Sequence, residues 1–316
     1  MQVAIRVMSA LLVLVMIAAF IPHAAADASY RSVEIGGMKY LIEDPARYYA
    51  PKVVARQAES LYKALKNHPE VKTYIYLVNS SRTVDVLQDV TAEPKLYEQI
   101  RSCFSGSVTD YLRIGSLEEY GQYFFTTDHH WNYRGSYAGY RQIVHMLLGE
   151  DEPLIEPVET VTFPVKFNGS LNKNTHRTDS KENFTVYRFN YPEMKIEIDG
   201  KPRDRYGNQE AYFSGKYSAG SHMNHYNNFY GGEVGELHVE TGRSDRGNLI
   251  VFSNSMSDAI NLLLACHFHN TWIIDTRHYR GGSGFFPLGS MIEKWNLSQV
   301  LILGDGLYFK QGERYQ

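Results

Sequence analysis

The stretch Asn248–Cys266 (NLIVFSNSMSDAINLLLAC) decides the fold class. An apolar strand, Asn248–Phe252, runs through a serine-rich turn, Ser253–Ser255, straight into a helix, Ser257–His267. After it come a strand at Thr271–Asp275, a helix at Ser290–Trp295 and a strand at Gln299–Leu303. Two βα units closed by a further strand build an open, mostly parallel sheet with right-handed crossovers. Ligands gather at the carboxyl ends of the strands in such sheets, which puts Ser253, Asn254 and Ser255 where reactive groups are displayed. A serine there has the free N–H groups and the positive end of the next helix beside its hydroxyl, which favours an alkoxide or an oxyanion. Taken alone, the segment reads first as a helix cap, with Ser255 or Ser257 accepting N–H bonds and nothing more.

The first half of the chain alternates in the same way. Pro51–Asn67 has apolar residues at Val54, Leu61 and Leu65 with charges between them, an amphipathic helix, and Thr73–Val78 follows as a strand. Pro94–Phe104 predicts a helix, Val108–Ile114 a strand, Tyr123–Thr126 a short strand, and Tyr133–Leu148 a long helix with Ile143, Met146 and Leu147 toward the core. Residues 151–247 differ: Pro, Asn, Gly and Tyr rise, and the short alternating segments Val161–Phe167, Phe184–Phe189 and Lys195–Ile198 replace helical periodicity. They read as a β-rich insertion of strand and loop. Its tyrosines, among them Tyr187, Tyr206, Tyr212, Tyr217, Tyr226 and Tyr230, are expected to offer stacking faces along a groove over the site.

Composition excludes more than it selects. The chain has 316 residues, 43% hydrophobic and 21% charged, which is ordinary for a globular protein and rules out disorder, collagen and coiled coil. With 32 Lys+Arg against 35 Asp+Glu no basic field points to nucleic acid. Twenty-four tyrosines suit surfaces that stack on sugars. At the N-terminus, Arg6 precedes an apolar run, Val7–Ile21, and then Ala24-Ala25-Ala26 before Asp27, the pattern of a secretory signal over residues 1–26. The alternative is a retained anchor. Either way, residues 27–316 are expected to act outside the cytoplasm as a single domain, secreted or at the cell surface. Cys103 and Cys266 lack CxxC spacing, and while one disulfide is open to them in an oxidising compartment, Cys266 reads as a buried helix residue.

A second constellation, Thr126-Thr127-Asp128-His129-His130-Trp131, also follows an apolar stretch. On extended chain, residues i and i+2 share a side, so Asp128 and His130 face together and His129 points away. A serine nucleophile needs a base, and the base needs a carboxylate to hold its tautomer.

Asp128-His129-His130-Trp131, followed by Asn132-Tyr133-Arg134-Gly135, resembles the signature of the DHHW protein family, which is similar to the alginate O-acetyltransferases of the AlgJ/AlgX type. The resemblance extends through Tyr226–Gly232 (YNNFYGG), the serine turn and Ile273–Tyr279 (IIDTRHY), most of residues 40–305. It implies an SGNH-hydrolase-like, flavodoxin-like α/β fold with permuted motif order, and Asp128, His130 and Ser255 as a triad. It also implies acetyl transfer to a polysaccharide acceptor, with a membrane-bound O-acyltransferase as the partner supplying acyl groups, and no cofactor or metal. Where a Gly-Asp-Ser or Gly-Thr-Ser is common, this chain has Ser253-Asn254-Ser255, which leaves the nucleophile open between Ser255 and its neighbours. In that mechanism the Met256 N–H is one oxyanion donor, with a second from the Gly231-Gly232 backbone or the Asn254 side chain. Tyr133, Arg134 and Tyr279 are candidate polymer contacts, and Trp131 either walls the site or is buried.

Two rivals use the same residues. A metal-dependent phosphoesterase needs further aspartates in D-x-D-like settings to hold its metals, and no such setting precedes residue 128. A zinc site from His129, His130, His222 and His225 is imaginable, but loop histidines in a polar segment are the plainer reading. A carbohydrate esterase differs from a transferase only in its acceptor, and a binding module without catalysis would leave the three residues apart.

Overall fold

The computed structural model describes residues 30–175, 180–220, 223–279 and 285–316, so the secretory signal expected at residues 1–26 and His222 lie outside the described residues. The strands run in chain order as β1 (Tyr30–Ile35), β2 (Met38–Glu43), β3 (Lys72–Leu77), β4 (Val108–Tyr111), β5 (Glu159–Lys166), β6 (Asn183–Arg188), β7 (Met194–Ile198), β8 (Lys201–Arg203), β9 (Glu236–Thr241), β10 (Asn248–Ser253), β11 (Asn270–Ile274), β12 (Phe285–Phe286), β13 (Leu297–Gly304) and β14 (Arg314–Tyr315). Eight of them form one sheet in the order β4-β3-β13-β10-β11-β9-β7-β8. The five strands from β4 to β11 are parallel, and β9, β7 and β8 continue the sheet antiparallel from β11.

Period-two alternation explains why the parallel block holds. On β10, Leu249 and Val251 pack into one core cluster and Ile250 and Phe252 into the other. β13 divides Leu301 and Leu303 from Val300 and Ile302, and β3 divides Tyr74 and Tyr76 from Ile75 and Leu77, in the same way. Both faces are therefore apolar and must be covered by helices, as parallel strands require. The helix Tyr133–Leu148 covers one face through Tyr140, Ile143, Val144 and Leu147. On the other lie Pro51–Leu65 and Lys95–Cys103, with Leu288–Trp295 and Gly306–Gln311. Each large aliphatic side chain buried this way contributes about 1.5–3 kcal/mol. Arg82, buried between Glu43 (2.6 Å) and Asp305 (3.3 Å), ties the β1–β2 hairpin to the end of β13.

The structure departs from the periodicity reading in three places. The strand expected at Tyr123–Thr126 is not formed: a helix, Leu117–Tyr123, capped by Ser116 Oγ accepting from Glu119 N (3.1 Å), runs up to it and the chain bends from Thr126. Of the expected strand only a bridge between Phe124 and Trp131 survives. The expected helix Ser257–His267 is split into a 3₁₀ turn, Ser255–Ser257, and a short α-helix, Asn261–Ala265. The described residues of 151–247 hold five strands and three short helices, and β7, β8 and β9 belong to the main sheet. Both cysteines are free, with Cys266 buried and its Sγ bonded to Leu262 O, so they do not form the disulfide that the sequence left open. No helix among the described residues is long and apolar enough to cross a membrane.

Candidate active site

The Asp128–His130 segment is a bend held from outside. Glu182 accepts from Thr126 N (2.8 Å) and Thr126 Oγ1 (2.7 Å). Thr127 Oγ1 donates to Phe167 O (3.1 Å) and accepts from Gly169 N (3.0 Å), and Asp128 Oδ2 accepts from Ser170 N (2.6 Å). Segment 167–170 thus lies directly against the motif. A Cβ at Gly169 would stand 2.3 Å from the Asp128 Cβ and 2.5 Å from its Oδ2, so only glycine permits this approach. Trp131 is wholly buried against Gly139 and is a core residue, not a wall of the site.

Asp128 Oδ1 accepts from His130 N (2.9 Å) and meets His130 Nδ1 at 2.6 Å. His130 Nε2 meets Ser255 Oγ at 2.8 Å. The three candidate catalytic residues converge in one chain of hydrogen bonds, carboxylate to imidazole to hydroxyl. The serine turn also resolves which hydroxyl is presented. Ser253 Oγ (2.9 Å) and Ser257 Oγ (3.4 Å) both donate to Asn254 O, whereas Ser255 Oγ faces the imidazole. Position decides this: Ser255 opens the turn just past the carboxyl end of β10.

His129 does not point away, since the chain here is bent and not extended. Its ring lies 4.0 Å from the His130 ring, centroid to centroid, and its Nδ1 sits 2.7 Å from Ser170 Oγ. The Tyr226 ring stacks on His130 from a centroid distance of 4.0 Å at 15°, and its hydroxyl donates to Ser255 O (3.0 Å).

Burial alone would raise the Asp128 carboxyl, but the His130 and His129 rings and the Ser170 N–H outweigh it and hold it well below the usual carboxylate range. It is an anion at neutral pH. Burial, the neighbouring His130 and the Arg82 guanidinium push His129 well below the ordinary histidine range, so it is neutral. Burial pushes Glu182 up to about 7, with the Asp128 charge adding to it. Asp258, three residues past the serine, is pushed well above the carboxylate range by burial and by Glu233 and Asp275.

The expected oxyanion donors are arranged differently. Met256 N–H donates to Asn254 Oδ1 (3.2 Å), so it is engaged in the cap. That cap uses the oxygen of the Asn254 carboxamide and leaves its NH2 as the group able to donate. Gly231 N donates to Asn227 O (2.9 Å) and closes the helix His225–Tyr230 at φ 127°, a conformation open to glycine, so it is a turn residue. Gly232 lines a cavity of about 20 Å³ together with Asn254, Ser255 and Asp258. A roomier cavity of about 470 Å³ opens between Tyr48, Tyr49, Arg82, Val84 and Leu96, and its lining includes none of the triad residues.

The polymer-contact residues divide. Tyr279 is buried against Phe286 and belongs to the core. Arg134 is exposed on the first turn of Tyr133–Leu148, its guanidinium over the Tyr133 ring. Tyr206, Tyr212, Tyr226 and Tyr230 are buried and present no face to a polymer, because aromatic neighbours in residues 151–247 pack on one another. Tyr187 and Tyr217 remain partly exposed.

Asp128, His129 and His130 place ligand atoms within 4.8 Å of one another, the spacing of a metal cluster. Each of these side chains already bonds a protein partner, and His130 uses both nitrogens, so a metal would have to break the triad. His225 does not join them: its Nδ1 bonds the Tyr212 hydroxyl (2.8 Å) and its ring stacks on Phe184. Sequence reasoning missed Gly169, Ser170 and Glu182 as site residues. A buried backbone clamp leaves no local signal.

No family model matches the chain, and no curated protein is similar to it in sequence. Solved structures share its fold. A DHHW family protein from Eubacterium siraeum superposes with a TM-score of 0.66 over 89% of this chain and 92% of its own, at 17% identity. The chain has the fold of a DHHW family protein. Bacillus cereus PatB1, solved with a sulfonyl adduct, matches at a TM-score of 0.65 and 18% identity over 88% of this chain and 95% of that one. The O-acetyltransferase domain of Pseudomonas putida AlgJ reaches a TM-score of only 0.43 at 9% identity over 89% and 92%, too distant to support an argument.

Proposed function

We propose that this protein is an extracytoplasmic serine acyltransferase that transfers O-acyl groups, acetyl foremost, to a polysaccharide through an acyl-Ser255 intermediate, on a permuted SGNH-hydrolase-like fold whose residues 151–247 are an insertion. One observation carries the reading: His130 Nε2 within 2.8 Å of Ser255 Oγ, with Asp128 on the opposite ring nitrogen at 2.6 Å. Ser255 Oγ attacks the acyl carbonyl carbon while His130 Nε2 takes the hydroxyl proton and Asp128 stabilises the imidazolium. The tetrahedral adduct collapses, the C–O bond to the donor alcohol breaks, and His130 returns the proton to that oxygen. An acceptor hydroxyl then repeats the sequence in reverse and frees Ser255. With the Met256, Ser257 and Asp258 N–H groups engaged within the turn, the Asn254 NH2 is the donor this reading assigns to the oxyanion.

Location outside the cytoplasm rests on the leader pattern at residues 1–26. The polysaccharide acceptor and a membrane-bound acyl supplier rest on the family resemblance. A chromogenic phenyl acetate tests the chemistry on residues 27–316. The reading expects turnover, an acetyl mass added at Ser255 when turnover is trapped, and sulfonylation of the same residue by phenylmethanesulfonyl fluoride. Equal behaviour of the parent and Ser255→Ala, with no adduct, would replace it with a binding module. Release of acetate to water in preference to an added glycan would make it an esterase.

A further inference from the structure

Asp128 and His130 are separated in sequence from Ser255 by more than a hundred residues, and their bond is only as good as whatever fixes the two together. Tyr226 touches both. Its ring lies on the His130 imidazole at 4.0 Å and 15°, and its hydroxyl reaches Ser255 O at 3.0 Å. We propose that Tyr226 is a positioning residue of acyl transfer, its ring setting the plane of the base and its hydroxyl setting the peptide of the nucleophile. The inference rests on the serine acyl-transfer reading and adds to it the part that keeps base and nucleophile in register.

Three features support it. Tyr226 is 1% exposed and is itself fixed, edge-on to Phe125 (6.3 Å) two residues before the Thr127–Asp128 bend, and against Tyr230 (5.0 Å) in its own helix. Burial holds its phenol well above the ordinary tyrosine range, so the hydroxyl keeps its proton and always donates to Ser255 O. The carbonyl it holds is one end of the peptide whose other end is the Met256 N–H, and because a trans peptide is planar, fixing the carbonyl fixes that N–H as well.

The stack adds an effect specific to the reaction. As Ser255 gives up its proton the His130 ring becomes cationic, and the face of an aromatic ring attracts a cation. The contact is therefore stronger in the transition state than in the resting enzyme, the condition for raising kcat and not merely tightening binding.

Tyr226→Phe keeps the ring and removes the hydroxyl; Tyr226→Leu removes both. The test measures kcat and KM for a chromogenic aryl acetate, normalised to active sites titrated with phenylmethanesulfonyl fluoride, together with the thermal unfolding midpoint. Loss of one hydrogen bond predicts a kcat per titrated site about fivefold lower for Tyr226→Phe with KM unchanged. Tyr226→Leu is expected to fall roughly a hundredfold, with sulfonylation slowed in parallel. A purely structural role would lower the unfolding midpoint and the number of titratable sites but leave kcat per site at the parent value in both variants, and that result overturns the inference. Tyr226→Phe is close to isosteric, so it keeps the test alive if Tyr226→Leu does not fold. A parent that neither turns over nor is labelled would instead count against the acyl-transfer reading itself.

Discussion

His130 Nε2 stands 2.8 Å from Ser255 Oγ although the two residues are 125 positions apart. The bond forms because the bend at Thr127–Asp128 is brought to the carboxyl end of β10, a central strand of the sheet.

Ser255→Ala and His130→Ala are each expected to lower kcat for an acetyl ester by roughly 10³-fold or more, and the double variant to lose little beyond either single one, because members of a triad act as a unit. Ser253→Ala and Ser257→Ala, whose hydroxyls donate to Asn254 O, should stay within about tenfold of the parent. Steady-state rates with mass spectrometry of the adduct check both statements. A Ser253 adduct would move the nucleophile.

Asp128→Asn keeps the shape but replaces the acceptor of His130 Nδ1 with a neutral carboxamide. The imidazole then loses the charge that holds its tautomer, and kcat should fall by roughly 10²–10⁴ with KM little changed. Unchanged turnover in this variant would mean that Asp128 supports the bend and not the base.

Gly169→Ala brings a methyl group to within 2.3 Å of the Asp128 Cβ, a contact that forces either segment 167–170 or Asp128 to move. A displacement of the carboxylate of even about 1 Å costs roughly 10²-fold in rate. Gly242→Ala, with nothing within 4 Å of the added carbon, is the matched control and should leave turnover as it is. Parallel assays and thermal melts distinguish the two.

Glu182 supplies a pH test. Its folded-state carboxyl titrates at about 7, above the ordinary glutamate value near 4.3. A group raised on folding binds more protons in the native state between those two values, so its contribution is complete at low pH and is lost as pH rises through about 7. Glu182→Gln keeps an acceptor for Thr126 and removes the titration. The stability of the variant relative to the parent should therefore rise between about pH 5 and pH 8, by on the order of 1–2 kcal/mol. Glu313, also pushed up to about 7 by burial and by Asp275, acts in the same direction in both proteins and cancels in the difference. A difference that stays flat with pH in urea titrations would show that Glu182 does not titrate in this range.

The parallel sheet was legible because β3, β10, β11 and β13 are short apolar runs set between helical patterns, and burial on both faces writes itself into every residue of such a strand. The helix at Tyr133–Leu148 was legible to the residue, since its 3.6-residue period is long and Asn132 caps it, its Oδ1 accepting from Arg134 N and Gly135 N. Short elements were less so. The helix at Leu117–Tyr123 is set by the Ser116 cap more than by periodicity, and the Ser255–Ser257 turn carries helix-forming neighbours that propensity alone would join into one helix.

The sequence by itself determined the α/β class and the carboxyl-end placement of the serine turn; it also put Asp128 with His130, but through an extended-chain argument that the bend at 126–130 replaces. Tertiary structure alone decided which serine faces the base, that Met256 N–H and Gly231 N–H are already engaged, and that Tyr279 and most tyrosines of residues 151–247 are packed inside. It also decided that Tyr226 and the Gly169–Ser170 backbone close around the triad. The physical reason is that a hydrogen bond or a ring stack depends on distances of a few ångströms and on direction, and neither is encoded by the spacing of residues along the chain.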